Sequence, residues 1–465
     1  MRIFLVQARL TSCAGNVMPL LNLPALSAYL KRAGYRDIQS LHMDAFPPGE
    51  DALERRLLDF SPDIVGIGAM TAQAKAMHET ARLVKRLFPK TLVVVGGPHP
   101  THDPQDCVAN EAIDVMVLHE GEETLLELVQ RREQGLPFDG LKGICFRQNG
   151  KMVRNPPRDF IADLDSLPQP DWDSVDFDAY RDFLPCSMLP FRRRAAGIMT
   201  SRGCPYQCTF CHHQMGKRFR AQSPARVLED ISILHKKHGI NDLEIIDDVF
   251  NFDRERLLAI LKGIVASGMK LNIYMTMGLR GDLLDEEILD LFHPAGVVFL
   301  TVAVESGSPR MQKLLKKNID FDRMTRVIDY AAKKRIFVHG LFLFGFPEET
   351  VSDMWQTVRF VCKSKLHTMM IGTCYGFRGT EMGDALPEGK AVTPDNDAAA
   401  FSSYKFVNCS SLSDRRIKAM KFLLNVLFYY NPRRIWRILR DVPFYNADLA
   451  EMFFHKIVNK TILFR

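Results

Sequence analysis

The sequence predicts an α/β chain: a doubly wound parallel sheet over residues 1–140, a connector over 141–195, six further strand–helix units over 196–385, and a mostly helical region over 386–465. Three observations carry this reading. Short apolar runs alternate with amphipathic helical patterns in the first region, which implies a parallel sheet covered on both faces. From Gly197 the alternation resumes with longer units. Between the two lies a stretch too rich in proline for helix or central strand.

In the first region Arg2–Ala8, Ile38–His42, Ile64–Ala69, Thr91–Val95 and Asp114–Leu118 are the predicted strands. Leu23–Gly34, Ala72–Phe88 and Glu122–Gly135 carry helical periodicity. Open sheets of this kind bind ligands beyond the carboxyl ends of their strands, near a topological switch point. Two Gly-rich strand ends suit that rule: Gly66-Ile67-Gly68-Ala69-Met70-Thr71 and Gly96-Gly97-Pro98-His99-Pro100-Thr101. Glycine there either lets the backbone approach a bulky ligand or simply turns the chain. In the connector, Ile144–Arg147 and Lys151–Arg154 flank Gln148-Asn149-Gly150, a hairpin signal. The basic run Phe191-Arg192-Arg193-Arg194 reads as solvated surface.

The second series of strands is Gly197–Thr200, Leu243–Asp247, Asn272–Met277, Val297–Val304, Phe337–Leu343 and Met369–Tyr375. Helices fall between them. Pro224–His238 has Ser223 as its N-cap and Pro224 in its first turn. Arg254–Ala266, Asp285–Phe292 and Val351–Cys362 follow the same period.

Composition narrows the class further. Hydrophobic residues make up 46% and charged residues 25% of the 465, values of an ordinary globular chain with a sizeable core. Polar Gln7 comes too soon for the apolar core of a signal peptide. No stretch reaches the roughly 18 apolar residues that a spanning helix needs. Outside one loop the cysteines (Cys13, Cys107, Cys145, Cys186, Cys362, Cys374, Cys409) have no disulfide-like rhythm, which points to a reducing cytoplasm.

That one loop is the most informative segment. Ser201-Arg202-Gly203-Cys204-Pro205-Tyr206-Gln207-Cys208-Thr209-Phe210-Cys211 follows the first strand of the second series and spaces Cys204, Cys208 and Cys211 as C-x3-C-x2-C. Three thiolates so close together can hold three irons of a four-iron, four-sulfur (4Fe-4S) cluster and leave the fourth iron open for a substrate or cosubstrate. The competing reading is a zinc knuckle with His212 or His213 as fourth ligand, but structural zinc sites usually show a second ligand pair, which this sequence lacks.

The loop resembles the signature of the radical S-adenosylmethionine (SAM) superfamily, and the Gly-rich strand ends, with His119-Glu120-Gly121-Glu122-Glu123-Thr124, resemble the cobalamin (B12)-binding domain that precedes it in one branch. That branch holds class B methyltransferases and relatives of the anaerobic magnesium-protoporphyrin IX monomethyl ester cyclase. The resemblance covers roughly residues 1–385 and implies a Rossmann-like cobalamin-binding domain ahead of a partial (β/α)6 TIM-like barrel. Such a barrel places its chemistry at the carboxyl ends of its strands.

From the same resemblance, SAM contacts are expected at Phe210, Asp247, Asp248, Arg280, Glu305, Ser306, Gly345 and Pro347. Cobalamin contacts are expected at Gly68, Met70, Thr71, Gly96, Gly97, Pro98, His99, Glu120, Gly121 and Glu122. No D-x-H-x-x-G string occurs in residues 1–150, so His99 is not expected to ligate cobalt. Each site residue also has a plainer account: Asp253 already caps the next helix, Arg280 suits a salt bridge, and Cys374 and Tyr375 suit packing better than hydrogen donation. Tyr375-Gly376-Phe377-Arg378-Gly379 departs from the family pattern, with arginine where proline is usual.

The implied activity is reductive cleavage of SAM to a 5′-deoxyadenosyl radical that modifies, by preference methylates, an unactivated carbon of a small-molecule or lipid-like substrate. An oxidative cyclase or ring-rearranging enzyme with the same cofactors, and a non-catalytic corrinoid or metal sensor, are the alternatives. No catalytic residue beyond the cluster ligands is indicated. A one-electron reductant such as flavodoxin or ferredoxin is implied as partner.

After about residue 385 the resemblance ends. Between Arg415 and Arg440 lie eight Lys/Arg and no Asp/Glu, interleaved with aromatic and aliphatic residues. The favoured expectation is that the apolar face packs on the barrel with the arginines solvated; peripheral membrane contact is the other. Nucleic acid is not expected, since no binding module accompanies the charge.

Overall fold

The computed structural model describes residues 1–10, 21–46, 52–148, 150–180, 194–387, 389–392 and 408–443. Cys13, Asn149, Cys186 and Phe191–Arg193 lie outside them. The chain divides into two compact units: Met1–Phe183 with His213–Gly216 and Thr393–Ser402, and Leu184–His212 with Lys217–Val392 and Ser403–Arg465.

The first unit is built on strands β1 (Ile3–Gln7), β2 (Ile38–His42), β3 (Ile64–Gly68), β4 (Leu92–Gly96), β5 (Val115–Val117), β6 (Ile144–Gln148) and β7 (Lys151–Arg154), ordered β2-β1-β3-β4-β5-β6-β7. The first five are parallel, as the continuous apolar runs predict. Alternate residues point to opposite faces: Phe4, Val6, Val65 and Ile67 enter one core, Ile3, Leu5, Ile64 and Val94 the other. Helices α1 (Asn22–Arg32), α2 (Ala52–Phe60), α3 (Ala74–Leu87), α4 (Pro98–His102), α5 (Pro104–Ala109) and α6 (Glu122–Glu133) connect and cover them. The β6–β7 hairpin, read in the sequence as part of the connector, extends this sheet antiparallel to β5. Its apolar residues Ile144, Cys145 and Phe146 are buried there, which a surface linker would not require.

In the second unit, β8 (Ala195–Ile198) leads to a two-residue ribbon, β9 (Ser201–Arg202) with β10 (Arg220–Ala221), that brackets the cysteine loop. Strands β11 (Asp242–Ile245), β12 (Asn272–Leu279), β13 (Val297–Glu305), β14 (Val338–Phe344) and β15 (Thr368–Thr373) follow. The six long strands are parallel in the order β15-β14-β13-β12-β11-β8, each beside its successor. Six units wound in one direction with right-handed crossovers make the partial barrel that the resemblance implied. The crossovers are α7 (Pro224–His238), α8 (Arg254–Ser267), α9 (Glu286–Ala295), α10 (Pro309–Leu314) with α11 (Phe321–Lys333), and α12 (Val351–Lys363). Ser223, Asp253, Asp285, Ser308 and Thr350 cap their helices with side-chain oxygens.

Beyond β15 come the short α13 (Glu381–Asp384), then α14 (Asp414–Tyr429) and α15 (Pro432–Asp441). Ile417, Met420, Leu424 and Phe428, at helical spacing, form the buried face of α14, so the expected packing on the barrel is present. The expectation that the arginines are all solvated is corrected. Arg434 is buried, lies 3.6 Å from the Phe428 ring centre, and donates to the carbonyls of Val361, Cys362, Ser364 and Leu366. A guanidinium has five donors in a rigid fork, which is what the unpaired carbonyls at the end of α12 need. Burial and neighbouring Arg437 pull it down to about 10, still charged at neutral pH.

Replacing Arg434 with methionine removes its bonds to all four carbonyls, of which Val361 keeps the Ser364 hydroxyl and Leu366 keeps Arg437, and is expected to destabilise the protein by about 3 kcal/mol. Chemical denaturation of the cofactor-free chain measures this; a change within experimental scatter would refute the role.

Candidate functional site

The cysteine loop has no ladder of its own between β9 and β10, so other bonds fix it. Asp247, just past β11, is buried and accepts from the Thr200 backbone N–H (2.7 Å), the Thr200 hydroxyl (2.7 Å) and the Ser201 hydroxyl. Its carboxyl therefore holds the chain where β8 turns into the loop. Burial raises its pKa against the pull of these donors. Thr209 donates to the Leu315 carbonyl (3.1 Å) and accepts from the Met382 N–H (2.8 Å), tying the loop's middle to two other elements. Phe210 packs against Phe346 at 5.6 Å between ring centres. Gly203, with φ at 80°, supplies the left-handed turn that starts the loop.

The three thiols suit a cluster better than a single ion. Among the described residues only one trio of His, Cys, Asp or Glu ligand atoms lies mutually within 4.8 Å, and it contains no cysteine. Tetrahedral zinc would draw its sulfurs to about 3.8 Å from one another, given Zn–S bonds of about 2.3 Å. Of the two candidates for a fourth zinc ligand, His212 is committed elsewhere: its Nε2 lies 2.8 Å from the Arg378 carbonyl. Desolvation, with the neighbouring thiols, pushes Cys211 up to about 12; desolvation raises Cys204 and Cys208 as well. Thiols held neutral in this way become good ligands once a metal charge arrives to favour the thiolate.

Around them the strand ends supply charge. Arg280, after β12, is gripped by Asp282 through two bonds of 2.9 and 2.7 Å and lies over the Tyr206 ring at 4.2 Å. The salt bridge expected as its plainer account is present, but it is largely buried where an exposed one was expected. Glu305 ends β13 with φ at 66°, a conformation costly for a side chain with a Cβ. Its carboxylate accepts from Lys317 Nζ at 2.9 Å, and both side chains are buried. Lys317 lies 6.0 Å from the Phe210 ring centre, and its charge favours the thiolate at all three cysteines. The sequence offered no signal for it: it ends the run Lys316-Lys317, which reads as solvated surface. Gln312, also unforeseen, donates to the carbonyls of Val304 (2.9 Å) and Ser306 (2.6 Å) and so braces the strained turn.

The structure sorts the remaining expected residues. Asp248 is exposed, and its charge acts on Cys204 and Cys211, whereas Asp247 is occupied internally. Ser306 is buried against Thr357 (3.3 Å), and a Cβ on Gly307 would come within 2.8 Å of the Thr357 backbone, so this string packs β13 onto α12. Gly345, with φ at 87°, and Pro347 turn the chain after β14, and Glu349 folds back to accept from the Gly345 N–H at 2.6 Å. Burial pushes Glu349 up to about 8. Cys374 is buried in a cluster with Phe346, Met382 and Cys409, in keeping with a packing role.

In the first unit, Gln7, Gly68, Gly96 and Val117 form one row across the carboxyl ends of β1, β3, β4 and β5. The strand order reverses between β1 and β3, so the crevice falls beside Gly68. A Cβ at Gly68 would meet Gln7 Oε1 at 2.6 Å, and one at Gly97 would meet the Ala69 carbonyl at 2.9 Å. Met70 is exposed just beyond this floor, ahead of the 3-10 turn that Thr71 begins. Gly68 thus makes room for the Gln7 side chain and Gly97 for the Ala69 carbonyl, while Met70 is exposed beside them.

Pro98 and His99 open α4. His99 is held by Asp106 at 2.8 Å, and Asp106 also receives His78 at 2.7 Å. Asn110 donates to His78 Nδ1 (3.0 Å) and to its carbonyl, so His78 carries its proton on Nε2 and points it at Asp106. The trio is thus a hydrogen-bond network; against the desolvation of the site, the two histidines hold Asp106 well below the usual carboxylate range. Glu120 accepts from the Ile161 N–H at 2.7 Å, and buried Glu122 begins α6 behind Gly121.

A six-stranded parallel sheet with three thiols after its first strand, following in sequence a doubly wound sheet with glycines at its strand ends, fits a two-cofactor class of enzyme. Residues 9–129 match the B12 binding domain model and residues 198–361 the Radical SAM superfamily model. An uncharacterized methyltransferase of Pyrococcus horikoshii is 33% identical over 326 residues, covering 70% of this chain and 69% of that one. An anaerobic magnesium-protoporphyrin IX monomethyl ester cyclase of Rubrivivax gelatinosus is 26% identical, over 72% of this chain; the chain spans 60% of that relative's length. In fold, the chain is similar to the radical S-adenosylmethionine methyltransferase TsrM of Kitasatospora setae, solved with cobalamin and a 4Fe-4S cluster (TM-score 0.67, 21% identity, 82% of this chain and 74% of that one). The chain belongs to the cobalamin-binding branch of the radical SAM superfamily. It is a radical SAM enzyme whose cofactors are a 4Fe-4S cluster, SAM and cobalamin.

Two tests follow. Lys317→Met removes a buried cation and leaves Glu305 unpaired, both of which disfavour adding an electron nearby. The midpoint potential of the reconstituted cluster, followed by electron paramagnetic resonance, is expected to fall by on the order of tens of millivolts; an unchanged potential would exclude the role. For Glu349, a carboxyl raised from 4.5 to about 8 contributes stability that is full below about 4.5 and lost as pH rises through about 8. Glu349→Gln is expected to flatten the melting temperature over that window, measured as a pH series on both proteins.

Proposed function

We propose that the chain is a cobalamin-dependent radical SAM methyltransferase acting on an unactivated carbon of a small-molecule or lipid-like substrate. The carrying observation is the set of three thiols, spread too widely for one ion, among paired charges at the carboxyl ends of a parallel sheet. In this reading Cys204, Cys208 and Cys211 hold three irons and leave one corner open. When bound, the cofactors supply radical chemistry that removes a hydrogen atom from a carbon beyond the reach of acids and bases, and a methyl group to place there.

The chain's own residues bind, orient and exclude water. Arg280 and Lys317 suit the carboxylate of the SAM amino acid end, and Asp248 and Glu305 its ammonium or ribose hydroxyls. Each cation already faces a carboxylate, so a SAM carboxylate would be added to an existing pair, with the SAM ammonium available to balance the Glu305 carboxylate. The turn at Gly345–Pro347, braced by Glu349, offers backbone groups to an adenine edge. In the first unit, Gly68, Met70, Thr71, Gly96, Gly97 and Pro98 bound the crevice for cobalamin; His99 is fixed by Asp106 through Nε2 and sits there as a positioned side chain. Glu120, Gly121 and Glu122 shape the turn after β5.

A one-electron reductant of the flavodoxin or ferredoxin kind belongs to this proposal, as does peripheral contact with a membrane where a lipid-like substrate resides. Ring formation without methyl transfer is the second reading, favoured by the likeness to the Rubrivivax cyclase.

Anaerobic reconstitution with iron, sulfide and hydroxocobalamin, followed by SAM and a reductant, tests both. Methylation yields 5′-deoxyadenosine together with S-adenosylhomocysteine, and the second reading yields the former alone. Cys208→Ala is expected to lower deoxyadenosine to background. Its persistence in that variant would refute the ligand assignment.

A further inference from the structure

We infer that the barrel interior of the second unit holds the substrate by its polar end, with a primary ammonium group seated on Glu244. The strands show which side chains face inward. Phe342 meets Phe360 of α12 at 6.3 Å between ring centres. A Cβ on Gly281 would meet Met324 of α11 at 2.6 Å and Val302 at 2.9 Å. Phe342 and Val302 therefore face the helix layer, and alternation along β13 and β14 turns Phe299, Thr301, His339, Leu341 and Leu343 to the inner face. Tyr274 packs with Phe299, Phe337 and Ile438 of α15, which gives that face an apolar floor. Glu244 is the register partner of Tyr274 on β11, so its carboxyl faces inward as well.

The chemistry selects the guest. Glu244 is fully buried; one of its oxygens accepts from the Thr276 hydroxyl, and the other has no hydrogen-bond partner. Thr301, buried on the same inner face, also has a hydroxyl without a partner. Buried polar atoms are nearly always satisfied, so two such gaps on one face need an explanation. Burial pushes Glu244 up to about 7 against the pull of Thr276, and no cation of the described residues acts on it. A buried carboxylate is stabilised by a cation that also donates hydrogen bonds, which a ligand ammonium does. Beyond this polar layer the inner face is apolar and open: Leu341 and Leu343 are half-buried, and Met370, the register partner of Leu341, is 53% exposed. Asp247, which anchors the cysteine loop, follows Glu244 by three residues, about 10 Å of extended chain. The guest that suits this interior is an amine with an aliphatic body of about that length.

This deepens the proposed methyltransferase reading and rests on it only for calling the guest a substrate. The test is titration calorimetry of the reconstituted full-length protein with octylamine, and with octanol and octanoate for comparison. Octylamine is expected to bind and octanoate is not. Glu244→Gln keeps the shape and removes the charge, and is expected to weaken octylamine at least about tenfold. Met370→Trp fills the open part of the interior and is expected to abolish binding; it keeps the test decisive if the first variant fails to fold. No octylamine binding, octanol or octanoate binding as tightly as octylamine, or an unchanged affinity in either variant would overturn the inference. Binding needs no turnover, so absence of deoxyadenosine from the unmodified protein would count against the radical reading alone.

Discussion

Three thiols that must stay apart, partly shielded from water and reachable by a cosubstrate cannot be held by a loop's own backbone. Asp247 supplies the constraint that the rest of the second unit depends on. Its oxygens collect the Thr200 amide and two hydroxyls, and Arg256 secures the opposite side of the same turn through the Thr200 and Gln222 carbonyls. The carboxylate sits just past β11 and the turn just past β8, so the neighbouring strands β8 and β11 fix where the loop begins. The bonds from Thr209 to Leu315 and Met382 then fix its middle. A loop anchored at these points presents the thiols without needing regular structure.

Electrostatics follow from that geometry. The two cations whose charge acts on the thiols each have a carboxylate within hydrogen-bond reach: Arg280 with Asp282, Lys317 with Glu305. A buried pair contributes little net stability, since desolvation offsets attraction, but breaking one is expensive. The pairs are therefore better understood as a preset arrangement of charge than as glue. The left-handed φ of Glu305 belongs to the same account. A strained residue persists only where surroundings over-determine it, and here Lys317 holds its carboxylate while Gln312 holds the carbonyls on either side.

Much of this was legible in the sequence because it is local. The parallel strands are continuous apolar runs, the helix caps are single Ser, Thr or Asp residues, and the C-x3-C-x2-C spacing is one stretch of chain. What escaped is long-range. Lys317 is one lysine among several until β13 and α10 bring it beside the cysteine loop. Asp247 and Asp248 are adjacent and chemically identical in the sequence; only the register of β11 against β8 turns one inward to the Thr200 amide and leaves the other exposed. The β6–β7 hairpin was visible as a hairpin, yet that it joins the first sheet depends on pairing with β5, for which turn residues carry no information.

The C-terminal helices show why a basic, aromatic tail belongs to the fold as well as to its surface. A partial barrel leaves β15 as an edge strand, with backbone groups that invite wrong pairings. Tyr429 answers this with one hydroxyl, accepting from the Met369 N–H (3.1 Å) and donating to the Met369 carbonyl (2.8 Å). Lys421 reaches the Thr373 hydroxyl on the same strand at 3.1 Å, and desolvation lowers its pKa. Tyr429 and Lys421 thus give this edge hydrogen bonds that apolar residues could not supply. Because helical periodicity separates the two faces, closing the edge places no demand on Phe422, Tyr430 or Trp436.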